Sequence, residues 1–439
     1  MPTASDRAHS PIGPDEAEVL FADLADFKSL VVAVSGGADS LALLVLLAEW
    51  RRSLDNKPAL LAVTVDHKLR PEAADEALVV RQVCDDLGIP HRIVTWDEPK
   101  PSSNVQAKAR TARYNLLEQA ACESGASAIV LAHHLDDQAE TFLYRLARGS
   151  GVYGLAGMSR VRTDTEPMLL RPLLEVPKAR LEATLRAKAL SWVEDPSNLD
   201  PHYERVRIRQ SMAMLGELGL TAEKLADTAR RLGRARSALD AWVARFFREK
   251  CEMHPAGPVR LPRGALSELP EEVGLRLLAR VIRLVGGGDY TPRLNKIERL
   301  YTKVIDLSFA SGGATLAGVR VHLRRTDAFL FRELGRNPPD ALSLPETGVG
   351  HWDNRFLFET RKVPAGSVIQ PLGVGGFAAF GLQPPQEWPK SAFASAPLVV
   401  IPGQMPYIPV VDEPGGVISG LRGPSCPTCV VKLLHTGLS

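Results

Sequence analysis

The residues best equipped for chemistry in this 439-residue chain lie in two short stretches. They are Ser35-Gly36-Gly37-Ala38-Asp39-Ser40 and His133-His134-Leu135-Asp136-Asp137-Gln138-Ala139-Glu140-Thr141. In the first, paired glycines let the backbone approach an anion with no Cβ in the way, and successive N–H groups can converge on it. An apolar run precedes the loop at 30–34 and an aliphatic run follows at 41–47. That is the pattern of a buried parallel strand, a tight turn and a helix, whose N-terminus adds positive potential at the same point. Ser35 and Ser40 add hydroxyl donors, and the whole reads as a phosphate site. A Walker A loop would also need a Lys-Ser or Lys-Thr pair, and this loop has neither. It carries Asp39 instead. A carboxylate beside phosphates repels them unless a divalent cation stands between, so Asp39 reads as a magnesium ligand, as the N-terminal cap of the helix, or as both.

In the second stretch the spacing decides. His133 and Asp137, Asp136 and Glu140, and Asp137 and Glu140 stand three or four residues apart, so a helix places them on one face near its N-terminus. Acids and histidines gathered at the carboxyl end of a strand suit metal or amine binding. Complementing the helix dipole accounts for one of the acids, but not for the pair plus Glu140 and two histidines.

Elements that position these groups follow from hydrophobic periodicity. Strands are predicted at 30–34, 60–65, 92–96 and 128–133, and helices at 16–27, 41–52, 73–87, 105–124 and from the second motif to 148. Strands alternating with helices through short loops predict a doubly wound parallel sheet of the α/β class. Asp66-His67-Lys68-Leu69-Arg70-Pro71 ends the second strand with polar residues, where open α/β sheets bind ligands. The predicted organisation is a disordered N-terminus over 1–15, a catalytic domain over 16–210, a helical domain over 211–306 and a variable β and irregular region over 307–439. Helices are expected in the helical domain at 224–247, 271–285 and 294–305, and strands after it at 315–325 and 328–333.

Bulk properties set limits on function. A net charge of +2 is unremarkable, yet from Tyr203 to Lys250 eleven Lys and Arg face six Asp and Glu. Such a basic segment suits a polyanionic partner or a solvated helix face. Five cysteines are too few for a disulfide framework, no cationic start leads into an apolar signal core, and the longest apolar region is interrupted by Asp39. A cytoplasmic protein with no membrane span is expected. Cys426 and Cys429 form a lone Cys-x-x-Cys without a second pair, which reads as two incidental thiols.

Two sets of motifs carry a family resemblance. Ser-Gly-Gly-x-Asp-Ser resembles the pyrophosphatase loop (PP-loop) of N-type ATP pyrophosphatases, which cleave ATP between its α and β phosphates. The second motif, with Arg145-Leu146-Ala147-Arg148-Gly149-Ser150-Gly151 and Gly154-Leu155-Ala156-Gly157-Met158, resembles the bacterial tRNA(Ile)-lysidine synthetases. So do Val65-Asp66-His67 with Leu69-Arg70, Ala112-Arg113-Tyr114, Arg171-Pro172-Leu173-Leu174, and Trp192 with Glu194-Asp195-Pro196-Ser197-Asn198, Arg205, Arg207 and Arg209. Lys68 departs from the pattern, which has glycine there.

The resemblance implies an enzyme that uses ATP and Mg2+ to join L-lysine to the wobble cytidine of the CAU anticodon of tRNA(Ile), with a homodimer as a possible assembly. It implies nucleotide binding by Ser35, Gly36, Gly37, Ala38, Asp39, Ser40 and His133, and a metal on Asp39. Lysine would be held by Asp136, Asp137 and Glu140. Asp39, Asp137, Arg113 and Arg205 would be the catalytic groups, the arginines gripping phosphate oxygens bidentately. Tyr203 and Trp192 could stack on anticodon bases or belong to the core. A tRNA thiolase on the same loop would need a catalytic cysteine near the sheet, whereas Cys84 and Cys122 fall inside predicted helices. A non-catalytic nucleotide- or RNA-binding module would have no use for the acids around the loop.

Overall fold

The computed structural model describes residues 9–68, 73–98, 105–163, 165–193, 204–288, 292–308, 311–335, 338–408 and 429–433. Leu69, Arg70, Glu194 to Asn198, Tyr203 and Cys426 lie outside the described residues. The chain divides into two compact units, Met1–Arg236 and Ser237–Ser439. Among the described residues no helix is long and apolar enough to cross a membrane.

The first unit is built on a six-stranded sheet of order β3-β2-β1-β4-β6-β5. Its strands are β1 Ser29–Ala33, β2 Ala59–Asp66, β3 His91–Thr95, β4 Ala128–Val130, β5 Val161–Arg162 and β6 Met168–Leu170. All pair in parallel except β5, which runs antiparallel to β6 at the edge. The β-branched and aliphatic run of β1 is buried on both faces. Leu30 and Val32 enter one core cluster and Val31 and Ala33 the other, as a period of two requires.

Helices α1 Pro14–Phe21, α2 Ala38–Ser53 and α3 Ala73–Leu87 cover the first face, and α4 Val105–Ser124 covers the second. Every residue of α2 from Leu41 to Ala48 is buried, so this helix is apolar all round and central. After β4 come α5 Leu135–Leu146, α6 Val152–Leu155, α7 Lys178–Ala187, α8 Glu204–Glu217 and α9 Ala222–Lys250. The predicted doubly wound α/β layer is thus present. Strand β1 lies between β2 and β4, so strand order reverses there and the crevice beyond its carboxyl end is the topological switch point.

Two local expectations give way. The N-terminal stretch expected to be disordered is held from Ser10 on. Ile12 is buried and donates its N–H to Thr184 Oγ1 at 2.9 Å, while Arg180 donates to Ser10 O and grips Glu16 at 2.6 and 2.7 Å. One apolar anchor outweighs the Pro- and Ser-rich composition. The segment 315–325 is a hairpin instead of one strand, with β9 Gly312–Leu316 and β10 Val319–Leu323, labelled after the strands β7 Glu252–Met253 and β8 Val259–Pro262. It turns at Ala317 and Gly318, both at positive φ.

The second unit holds the sheet β7-β8-β11-β10-β9, with β11 at Asp327–Arg332. Helices α10 Arg263–Ser267, α11 Glu271–Gly286 and α12 Leu294–Ile305 belong to this unit, and α11 and α12 share a single core with the sheet. The stretch expected to be all-helical therefore contributes two strands, because β8 finds its partner in β11, far downstream. Two three-stranded sheets follow, β12-β15-β16 and β13-β14-β17, formed by Leu342–Ser343, Gly348–Trp352, Phe356–Thr360, Val368–Pro371, Pro397–Val400 and Cys429–Leu433 in chain order.

A buried ion cluster ties β11 to this last part. Asp353 Oδ2 lies 2.7 Å from Arg355 Nε and its Oδ1 2.9 Å from Arg332 Nη2, with Asp353 and Arg355 side chains only 4% and 2% exposed. Burial pulls the Arg355 pKa down to about 10 against the attraction of Asp353. Asp353→Ala leaves that guanidinium buried without its carboxylate, and is expected to destabilise the second unit by about 3–5 kcal/mol in urea unfolding followed by tryptophan fluorescence. A loss near zero would show that the carbonyl of Ser395, 2.8 Å from Arg355 Nη2, suffices to hold the charge.

Candidate active site

The loop after β1 is knotted by its own hydroxyls. Ser40 Oγ accepts the Ser35 N–H at 3.0 Å, donates to Gly37 O at 3.1 Å and stands 3.3 Å from Ser35 Oγ. Gly36 has φ +84, where an L side chain is strained, and a Cβ there would come 3.4 Å from Val80 Cγ2. Its carbonyl accepts the Val193 N–H at 3.0 Å. Gly37 is the N-cap of α2 with no side-chain cap bond, and buried Ala38 is the first helical residue. Asp39 therefore sits in the first turn and is not the cap, so one of its two readings falls away.

A single imidazole joins Asp39 to the second motif. His134, 4% exposed at its side chain, places Nε2 3.4 Å from both Asp39 Oδ2 and Asp137 Oδ2, and Nδ1 3.5 Å from Asp136 Oδ2. Burial alone would favour the neutral ring, but the surrounding carboxylates overcome it and raise the His134 pKa to about 10. Burial likewise opposes the charge on Asp39, and His134, Lys178 and Arg209 outweigh it, so its pKa falls below the ordinary carboxylate value. Asp39 Oδ1 is buried with no hydrogen-bond partner among the described residues.

The helix of the second motif begins at Leu135 with His134 as its N-cap, two residues later than the spacing suggested. His133 thus stands on the connection from β4. It lines the cleft, and burial together with Arg171, Arg113, Arg110 and Arg205 depresses its pKa to about 2, so the ring is neutral. Asp137 accepts the His134 N–H at 3.1 Å and also lines the cleft. Glu140 lines it too, but is 4% exposed and accepts from Arg209 Nε of α8 at 2.6 Å.

Asp136 departs from the expected amine-binding face. Its Oδ2 accepts the Lys178 N–H at 2.9 Å, tying α5 to the start of α7, and it does not line the cleft. At the start of a helix one carboxylate is free to turn toward a neighbouring helix N-terminus, whose N–H groups lack internal partners.

The cleft, about 860 Å3, thus brings together Ser35, Gly37, Asp39, Ser40, His133, Asp137, Glu140, Arg113 and Arg205 from the expected set. Arg110 and Lys178 also line it and were not expected from the sequence. Arg110 could have been found, since it shares a helix face with Arg113 and packs its guanidinium 5.2 Å from the centre of the Tyr114 ring. Lys178 gives no local signal. Behind the site, Gln138 clamps Met158 through both amide atoms at 2.7 and 2.8 Å, and Arg145 donates to Gly154 O and Gly157 O, so the glycine-rich motif braces α5.

Lys68 takes φ 49, the left-handed region that glycine prefers, which accounts for the glycine of the family pattern. Its N–H donates to Asp66 Oδ1 at 2.8 Å and its Nζ to Asp97 at 2.6 Å. Trp192 packs partly buried against the first core cluster with the Arg186 guanidinium 5.4 Å from its ring centre, which fits the core reading of this residue. No cysteine is among the described residues that line the cleft. Cys84 is buried and its thiol pKa is pushed up to about 12 by desolvation.

Residues 14–215 match the family model of the PP-loop domain. The chain is 44% identical to the tRNA(Ile)-lysidine synthase of Bradyrhizobium diazoefficiens over 73% of this chain and 90% of that protein. It is 43% identical to that of Rhodopseudomonas palustris over 72% and 91% of the two chains. With the enzyme of Ruegeria pomeroyi the identity is 35% over 90% of each. Such identity over nearly the whole length of its relatives, with the loop and acids arranged around one cleft, makes the chain a member of the tRNA(Ile)-lysidine synthase family.

Proposed function

We propose that this protein ligates the ε-amine of lysine to C2 of the wobble cytidine in the CAU anticodon of tRNA(Ile), through an adenylated tRNA, in the cytoplasm. The C2 oxygen attacks the α-phosphorus of ATP and pyrophosphate leaves; the amine then attacks C2 and AMP leaves. The observation that carries this reading is the placing of Asp39 and Asp137 on one nitrogen of His134, each at 3.4 Å, so that the loop and an amine-binding acid open into one cleft.

In the first step the Ser35 hydroxyl and the N–H groups at the start of α2 face the phosphates, and Arg113 and Arg205 meet the charge that develops on them. Neutral His133, set among arginines, serves the nucleotide as a hydrogen-bonding ring and adds no repulsion or charge. In the second step Asp137 and Glu140 pair the incoming ammonium in a cleft where an unpaired charge is costly, and one of these carboxylates takes its proton so that the free amine attacks C2. Asp39, whose Oδ1 is buried without a hydrogen-bond partner among the described residues, would hold a magnesium, and the ion would supply positive charge against the phosphates.

The reading is tested with ATP, labelled lysine and transcripts of tRNA(Ile). Label is expected in RNA only when ATP is present and the wobble base is cytidine, with one pyrophosphate and one AMP released per lysine. Pyrophosphate release without label in RNA would remove lysine as the nucleophile, and absence of both would favour a binding module.

A further inference from the structure

The loop after β1 lacks the lysine that a Walker A loop supplies, and the fold brings one to it from far along the chain. We propose that Lys178 binds the departing pyrophosphate. The proposal rests on the adenylation reading above and assigns to that step a residue that no motif marks.

Adenylation breaks the bond between the α-phosphorus and the bridging oxygen, and the electron pair leaves with the pyrophosphate. The developing charge calls for a cation at the leaving group. Within the loop itself the Ser35 hydroxyl and the Gly37 N–H offer only neutral donors, and Asp39 brings negative charge. Lys178 lines the same cleft with its Nζ 3.8 Å from Asp39 Oδ2. Its side chain is 41% exposed, and an ion pair so long and so open holds the ammonium weakly, leaving it free to meet a phosphate.

The backbone beneath it is fixed. Lys178 is the first residue of α7, its N–H is held by Asp136 Oδ2 at 2.9 Å, and Leu181 and Leu185 of the same helix are fully buried in the core that holds α2. Asp136 is in turn 3.5 Å from His134, which contacts Asp39. Asp136 is thus a positioning residue for Lys178, which gives a role to the acid that turned away from the amine face.

The test is calorimetric binding of Mg·pyrophosphate, Mg·ATP and AMP to the full chain, with single-turnover adenylation of tRNA(Ile). Lys178→Met is expected to weaken pyrophosphate and ATP by about tenfold or more, to leave AMP within about twofold, and to slow adenylation, as loss of a charge-assisted phosphate contact requires. Lys178→Arg should restore part of the pyrophosphate affinity. Asp136→Ala should weaken pyrophosphate in the same direction, and Asp136→Asn, which keeps an acceptor for the Lys178 N–H, should restore it. Equal weakening of all three ligands, or unchanged pyrophosphate binding in Lys178→Met, overturns the proposal and leaves Lys178 as a counter-ion of Asp39. If the unaltered protein binds pyrophosphate and AMP but makes no modified tRNA, the lysine-ligation reading fails while the ligand comparison still decides the role of Lys178.

Discussion

Asp39→Asn is expected to suppress pyrophosphate release by at least about two to three orders of magnitude while the protein stays folded. The amide has the shape of the carboxylate and keeps an oxygen for His134, 3.4 Å away, so the geometry of the loop survives. What it removes is charge. Asp39 is not the cap of α2, since Gly37 holds that position, and its Oδ1 is buried without a partner among the described residues. A carboxylate kept ionised by His134, Lys178 and Arg209 against the penalty of burial, with one oxygen left unsatisfied, is suited to a cation brought in with ATP. The measurement is pyrophosphate release over a magnesium titration, with circular dichroism and melting temperature as controls for folding. Activity near that of the unaltered protein with the same magnesium dependence would remove Asp39 from the metal site. A large drop in melting temperature would mean that its charge serves His134 first.

What could be read in the sequence was whatever local periodicity and close spacing encode. The alternation of Leu30-Val31-Val32-Ala33, the glycine pair and the aliphatic helix after it act within a few residues, and the doubly wound sheet follows from repeating that unit. Asp137 and Glu140 share a helix face because three residues separate them. Where a side chain's direction depends on a partner distant in sequence, spacing does not find it. Asp136 turns to the start of α7, Glu140 meets Arg209 of α8, and Lys178 reaches Asp39, and each pairing is made only by the assembled sheet.

The second unit shows the same limit on a larger scale. Strand β8 is four residues long and pairs with β11, so its existence depends on a chain segment that has yet to return. Phe329 and Phe331 of β11 point away from the α11 and α12 core into a second cluster with Leu372, Phe377, Trp388 and Phe393. Both faces of β11 are buried, and this is why a helical stretch and a Pro- and Gly-rich one belong to one unit.

The amine half of the reaction is the sharper test of the site. Asp137→Asn is expected to leave adenylation of tRNA intact and to raise the lysine requirement by about tenfold or more, the equivalent of roughly 1.4 kcal/mol. The amide oxygen still accepts the His134 N–H that the carboxylate receives at 3.1 Å, so the start of α5 is kept; what is lost is the charge facing the cleft and one of the three carboxylates around His134, where Asp39 and Asp136 remain. Glu140 cannot replace it without cost, because Arg209 already occupies its Oε1 at 2.6 Å. An incoming ammonium must share Glu140 with that guanidinium, whereas Asp137 shares its charge with an imidazole that also serves Asp39 and Asp136. The readout separates the two half-reactions: transfer of label from ATP as AMP onto RNA reports adenylation, and loss of that label as lysine is titrated reports amine attack. If adenylation stops and the lysine dependence of the remaining turnover is unchanged, Asp137 acts with Asp39 on the phosphates. The amine would then be held by Glu140 after displacement of Arg209, and Arg209→Met would be expected to lower the lysine requirement.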